Sequence, residues 1–290
     1  MSLIHKILAK AERDGTAAWP PAGVQRRTAI RAVPPPWHAD TTTSAVGGDS
    51  FDGDRRPLEA GTDLTLLPAR PVFGVKLNKL LVAATEPFSA AAEQYRSLRT
   101  RIAQVEAGRS RRVIAITSPC RDDGRTVTVA NLALAMAQEF EKRALVIDAD
   151  LRHARLHNLL GIARAPGLVD VLTGAVRLEE ALVSLPGHRL LILPAGAAHT
   201  QPAELLGSAQ MRRLLEQLRS QVDRLLIDSA VAHTADTGAI EAAVDGVVLV
   251  VRAGRTPRPA IERALAAIPD AKLMGFVLND GRAHDGLPVA

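Results

Sequence analysis

Along most of this chain the apolar residues come in short unbroken runs rather than in strict alternation. Such runs occupy residues 112–117 ("RVIAIT"), 144–149 ("ALVIDA"), 189–193 ("RLLIL"), 224–228 ("RLLID"), 247–251 ("VVLVV") and 273–279 ("LMGFVLN"). They are too short for buried helices and too apolar for strands with one face in water, so they predict strands covered on both sides. Between them lie stretches with helical spacing at 87–105, 127–141, 209–221 and 258–267. Strands alternating with helices predict an α/β fold, a mostly parallel twisted sheet with helices on both faces. Ligands of such sheets bind beyond the carboxyl ends of the strands. The turns after Thr117, Ala149 and Asp228 are therefore where chemistry is expected.

Before residue 76 the pattern differs. Residues 1–14 carry Leu3, Ile4, Ile7, Leu8 and Ala11 on one helical face, which predicts a short amphipathic helix that docks on a partner or lipid, or else frays. Residues 15–75 hold no apolar periodicity. Eight of the eighteen prolines fall in the first 75 residues, "PPPW" (34–37) among them, which predicts a disordered, proline-rich linker ahead of a single domain at 76–290.

Composition narrows the function classes. Hydrophobic residues make up 47% and aromatics 3%, so the core is aliphatic. A net charge of +5 permits an anionic partner, but the arginines are dispersed and aromatics for base stacking are scarce, so no nucleic acid is expected. The single cysteine, Cys120, excludes an internal disulfide and fits a reducing compartment. No run reaches the roughly 18 to 20 apolar residues that span a bilayer, and the start lacks a signal-peptide cleavage site, so a cytoplasmic location is expected.

Three turns carry the candidate chemistry. After the first strand comes "SPCRDDGRTV", where a phosphate-binding loop would read Gly-x-x-x-x-Gly-Lys-Ser/Thr. Gly124 and Thr126 hold the last glycine and the hydroxyl position, Pro119 the first glycine position, and Arg125 the lysine position. Arginine keeps the charge but is a longer planar fork. Asp122 and Asp123, placed beside a triphosphate, would repel it, since unit charges about 4 Å apart interact by roughly 4 kcal/mol at an effective dielectric of 20. Taken alone, the loop is better explained as a chance Gly-Arg-Thr turn. Asp148 and Asp150 end the second strand, where carboxylates organise the water around Mg²⁺ or accept a proton; capping the strand end is the alternative. Asp228 ends a third strand, at the place of a metal-associated acid.

The ordered motifs between Leu80 and Asp280 resemble those of the cytoplasmic bacterial tyrosine kinases of capsule and exopolysaccharide assembly, relatives of the MinD and ParA phosphate-loop ATPases. "EQYRSLR" is similar to the family's Glu-x-x-Arg-x-x-Arg helix, which implies an oligomerisation role for Glu93, Arg96 and Arg99. "LVIDADLRHARLH" resembles the second acidic motif, and "GLVDVLTG", "QPAELL", "VDGVVLVVRAGRTPR" and "GFVLN" resemble further family phrases. The resemblance implies ATP or ADP with Mg²⁺ as cofactor. Gly124, Arg125, Thr126 and Asn279 would contact the nucleotide, with Asn279 near the adenine. Thr126, Asp148 and Asp228 would organise the metal. Asp148, Asp150 and Asp228 would be catalytic, with Asp148 or Asp150 accepting the proton of an attacking tyrosine. It also implies a homo-oligomer and a membrane partner, a polysaccharide co-polymerase of the chain-length-determinant (Wzz-like) type, that recruits the protein to the inner face of the membrane.

The departures from the family pattern lie in the loop and in the acceptor. A glycine position holds Asp122, the lysine position holds Arg125, and "DTPP" has become Asp228-Ser229-Ala230-Val231. The family's C-terminal tyrosine cluster has no counterpart in "NDGRAHDGLPVA", and the only tyrosine is Tyr95. These features predict a kinase-like protein with a degenerate loop, weak or absent catalysis, and a regulatory role. An active kinase that uses Arg125 on a substrate in trans is the alternative. A MinD/ParA-type positioning ATPase ranks last, because Cys120 stands where that class has an additional lysine.

Overall fold

The structure, a computed structural model, describes residues 31–33 (backbone only), 67–106, 112–139, 142–185 and 187–280. The predicted helix at 1–14, most of the predicted linker and residues 281–290 lie outside the described residues. In chain order the strands are β1 (Arg31–Val33), β2 (Arg70–Pro71), β3 (Val113–Ser118), β4 (Ala144–Asp148), β5 (Val183–Leu185), β6 (Leu190–Leu193), β7 (Arg224–Val231), β8 (Gly246–Arg252) and β9 (Leu273–Asn279). They form one sheet in the order β1-β9-β8-β3-β7-β4-β6-β5-β2. The six strands from β9 to β6 run parallel. Among the described residues, only β1 against β9 and β5 against β6 are antiparallel. The mostly parallel α/β sheet expected from the sequence is present.

The unbroken apolar runs follow from burial on both faces. Val113 and Ala115 of β3, Leu145 and Ile147 of β4, Leu225 and Ile227 of β7, and Val247 and Leu249 of β8 enter one core. Their neighbours Ile114, Ile116, Val146, Leu226, Val248 and Val250 enter the other. With side chains alternating along a strand, neither register can be polar when helices cover both faces.

The helices are α1 (Val82–Thr85), α2 (Ala90–Glu106), α3 (Arg125–Ala137), α4 (Leu156–Leu160), α5 (Leu168–Leu172), α6 (Leu178–Ala181), α7 (Pro202–Leu206), α8 (Ala209–Gln221), α9 (Ala235–Ala243) and α10 (Arg258–Ala267). Residues of α2 and α3 line one core and residues of α8, α9 and α10 the other. α3 is buried along nearly its whole length, which its apolar sequence from Val127 to Ala137 requires. Asn131 ties it to α1: its Oδ1 accepts the Ala83 N–H at 2.9 Å and its Nδ2 donates to the Leu80 carbonyl at 2.9 Å. Tyr95 of α2 packs against α3 beside Thr128 and Asn131, 2% exposed, and burial pushes its phenol well up.

The structure differs from the sequence reading in three places. The sheet domain includes residues before 76: Leu67 is buried, Ala69, Val72 and Val75 pack on the cores, and β2 pairs with β5. β1 also falls inside the segment read as linker. Second, β7 does not stop at Asp228 but continues to Val231. The polar pair Asp228-Ser229 reads as a strand end, yet both are fully buried. The Ser229 hydroxyl donates to the Ile116 carbonyl at 3.0 Å and the Thr117 hydroxyl to the Ala230 carbonyl at 2.7 Å, so side chains cross-link β3 and β7 where their register shifts. Third, α3 begins at Arg125, two residues before the apolar spacing starts.

Candidate active site

The loop between β3 and α3 is fixed from several directions. Gly124, the residue before α3, has φ +96°, a left-handed conformation that disfavours any side chain. A Cβ there would also lie 1.9 Å from Asn279 Nδ2, which donates to the Asp123 carbonyl at 2.8 Å. Gly124→Ala is expected to cost about 1–3 kcal/mol, through backbone strain and loss of the Asn279 hydrogen bond, as read by chemical unfolding.

The two aspartates of the loop divide. Asp123 is buried, with Oδ2 accepting the Cys120 N–H and Oδ1 accepting the Thr256 hydroxyl, each at 2.8 Å. Thr256 Oγ1 in turn accepts the Arg252 N–H at 2.8 Å, which joins the loop to the end of β8. The repulsion expected of both acids therefore reduces to Asp122, since Asp123 is engaged within the fold. Asp122 is exposed, has φ +61° where the kinase pattern carries glycine, and pairs with Arg155 Nη1 at 3.1 Å. Its carbonyl accepts from Arg252 Nη1 at 3.2 Å.

Beneath the loop lie the acids. Asp148 on β4 and Asp228 on β7 are direct partners in the strand register, and both are fully buried. Burial and the neighbouring Asp228 push Asp148 well above the usual carboxylate range. Burial pushes Asp228 up to about 6, with Arg125 and Thr126 acting in the opposite sense. Asp150 follows β4 and accepts the His153 N–H at 3.1 Å, which tightens the turn.

Arg125 joins these groups. Its side chain is buried rather than extended from the loop. Nη2 donates to Asp150 Oδ2 at 2.5 Å, Nη1 donates to Ser118 Oγ at 2.9 Å, and Nε lies 3.6 Å from Asp228 Oδ1. The structure thus brings together Arg125, Asp148, Asp150 and Asp228, with Gly124 and Thr126 at the adjoining start of α3. Asn279 reaches the same loop through the Asp123 carbonyl.

The arrangement fits a hydrated divalent cation in one respect. Asp148 Oδ1 and both oxygens of Asp228 are buried without hydrogen-bond partners, and so is Arg125 Nε. Buried carboxylate oxygens without partners are costly, and a cation with its water shell would satisfy them. No group of three or more His, Cys, Asp or Glu side chains among the described residues is arranged to hold a metal directly. Thr126, Asp148 and Asp228 would hold Mg²⁺, whose part would be to neutralise phosphate charge. The amides at the start of α3 fit a phosphate, since no side chain caps Gly124.

The motif helix sits apart from this centre. Glu93 and Arg96 pair with each other at 2.6 Å, and Arg96 Nη1 donates to the Pro87 carbonyl at 2.7 Å. Arg99 turns inward, donating to the Ala135 carbonyl at 2.7 Å and lying 3.4 Å from Glu139. Burial and Asp123 push the Cys120 thiol up, away from the reactive thiolate.

Sequence reasoning missed Ser118, Thr256 and the Arg152–Asp236 pair. Arg152 Nε and Nη2 contact the Asp236 carboxylate at 2.6 and 3.1 Å, which clamps the acidic turn to the first turn of α9. No local signal links positions 84 residues apart. An acid in the first turn of α9, Asp236, was the one available hint.

No protein-family profile matches the chain. Individual proteins do. Over 209 residues, 71% of this chain and 88% of the relative, it is 33% identical to the tyrosine-protein kinase YwqD of Bacillus subtilis (strain 168). It is 35% identical over 210 residues to the succinoglycan biosynthesis transport protein ExoP of Rhizobium meliloti (strain 1021), covering 70% of this chain but only 26% of ExoP. Among solved structures, the BceF tyrosine kinase domain superposes with a TM-score of 0.61 at 28% identity, over 74% of this chain and 93% of that domain. On these similarities the chain belongs to the bacterial tyrosine-protein kinase family of capsule and exopolysaccharide biosynthesis.

Proposed function

We propose that this chain is a kinase-like regulator of polysaccharide assembly whose grip on ATP is withdrawn, so that it works by docking rather than by phosphoryl transfer. The observation that carries this is the position of Arg125. Where a lysine would reach the β- and γ-phosphates, the guanidinium is folded onto Asp150 and Asp228. In that position it also engages Asp150, the acid that the resemblance offers as proton acceptor. Tyr95 is no acceptor for self-phosphorylation in the folded chain, being buried between α2 and α3.

The partner in this reading is a membrane polysaccharide co-polymerase, met at the inner face of the membrane. The match to one part of ExoP, a transport protein, supports that association. No helix among the described residues is long and apolar enough to cross a membrane, so recruitment would come through the partner. Glu93 and Arg96 remain at the surface for self-assembly, next to the fully exposed Phe88, whereas Arg99 serves the α2–α3 contact.

The test is calorimetric titration of the full chain with Mg·ATP and Mg·ADP, beside the Asp122→Gly/Arg125→Lys double variant. The expected result is no measurable binding by the wild type and micromolar binding by the double variant. Micromolar binding by the wild type would favour the second reading, an active kinase in which Arg125 swings to the phosphates and a tyrosine of another protein is the acceptor. Asp148 Oδ1 and the Asp228 oxygens, buried without hydrogen bonds, are what favours that reading.

A further inference from the structure

Two carboxylates face one guanidinium, and a third lies next to them in the sheet. Asp150 holds it closely, Asp228 faces it at 3.6 Å without hydrogen-bond geometry, and Asp148 stands beside Asp228 in the sheet register. All three acids and the arginine are buried. The cluster sets three carboxyl groups beside one guanidinium, and the guanidinium lies where added positive charge would have to come.

We infer that Arg125 is the resident cation of this acidic cluster: in the ligand-free chain its guanidinium takes the place of a divalent metal, and the metal enters only when a phosphate draws the arginine away. This deepens the proposed function and rests on the same reading of the loop as a nucleotide site. It assigns an order to binding, anion first and metal second. It also assigns Ser118 a role, since the Ser118 hydroxyl accepts from Nη1 and holds the fork in the inward position. A lysine in place of Arg125 could not reach in this way, because an ammonium is a single point charge that cannot hold Asp150 and Ser118 with two separate fork nitrogens while facing Asp228.

The decisive experiment omits nucleotide, so its outcome does not depend on whether ATP binds. The full-length wild type and Arg125→Gln are titrated with MgCl₂ alone, and thermal unfolding is followed by circular dichroism. The wild type is expected to show no metal-dependent shift beyond that of a matched ionic-strength control. Arg125→Gln is expected to be stabilised, with a metal midpoint at least about ten-fold below the highest MgCl₂ concentration at which the wild type shows no shift, because a cation a few ångströms from the incoming metal has been removed. Adding Asp228→Asn to Arg125→Gln should abolish the gain, which locates it in the cluster. Equal midpoints for the wild type and Arg125→Gln, or tighter metal binding by the wild type, would overturn the inference. If Arg125→Gln does not fold without metal, folding on addition of Mg²⁺ supports the inference. If it stays unfolded, Arg125→Lys decides: a midpoint below the wild type's supports the resident-cation role, and an unchanged midpoint refutes it.

Discussion

Replacing Arg125 with glutamine is expected to lower the unfolding free energy of the metal-free protein by about 3–5 kcal/mol at neutral pH, the range for breaking a buried ion pair from one side. The magnitude follows from what remains. Asp150 would lose the partner held at 2.5 Å, and the fully buried Asp228 would lose the guanidinium that faces it at 3.6 Å. Glutamine keeps most of the volume and can still donate one hydrogen bond, so the loss reports charge rather than a cavity. Urea unfolding at matched ionic strength measures it. A loss under about 1 kcal/mol would mean that the arginine behaves like a surface pair and that the acids are neutral without it.

Asp228→Asn is expected to act in the opposite direction, and only in part of the pH range. The folded-state pKa of Asp228 is raised from 3.8 to about 6 by burial. A raised acid pKa contributes stability below its unfolded value and loses that contribution as pH climbs through the folded one. Wild-type stability should therefore decline between about pH 4 and 6 on account of this group, and the asparagine variant should lack that decline. The variant should match the wild type near pH 4 and exceed it by up to about 3 kcal/mol above pH 7, from roughly two pKa units at 1.36 kcal/mol each. Arg125 keeps Asp150 in the variant, so the gain is not offset by an orphaned guanidinium. Equal stabilisation at both pH values would attribute the effect to packing. Destabilisation at high pH would mean that the contact with Arg125 outweighs the burial of the charge.

The architecture was legible because its determinants are local. Six unbroken apolar runs can only be two-sided strands, and Asp148, Asp150 and Asp228 stand out as acids at the ends of such runs. What the chain does with those acids was not legible, because it depends on a rotamer. The substitution at 125 is visible in "DDGRT", but nothing in that string says whether the guanidinium points out at a phosphate or in at Asp150. Asp123 likewise reads as one of two acids hostile to phosphate until Thr256, 133 residues away, is seen to donate to it. The extension of β7 past Asp228 was hidden for a related reason: serine and threonine hydroxyls bond across β3 and β7, so polar residues lie where a strand end was expected.

The burial of Tyr95 bears on how this protein can be assayed. Both tryptophans, Trp19 and Trp37, lie outside the described residues, so Tyr95 is the phenolic chromophore that belongs to the sheet domain. Its ultraviolet absorbance reports on the α2–α3 contact and on little else. The same residue is a trap for immunoblots. A phosphotyrosine signal from this sequence requires α2 to separate from α3 first, so a positive blot would measure opened molecules in the sample rather than an activity of the folded one.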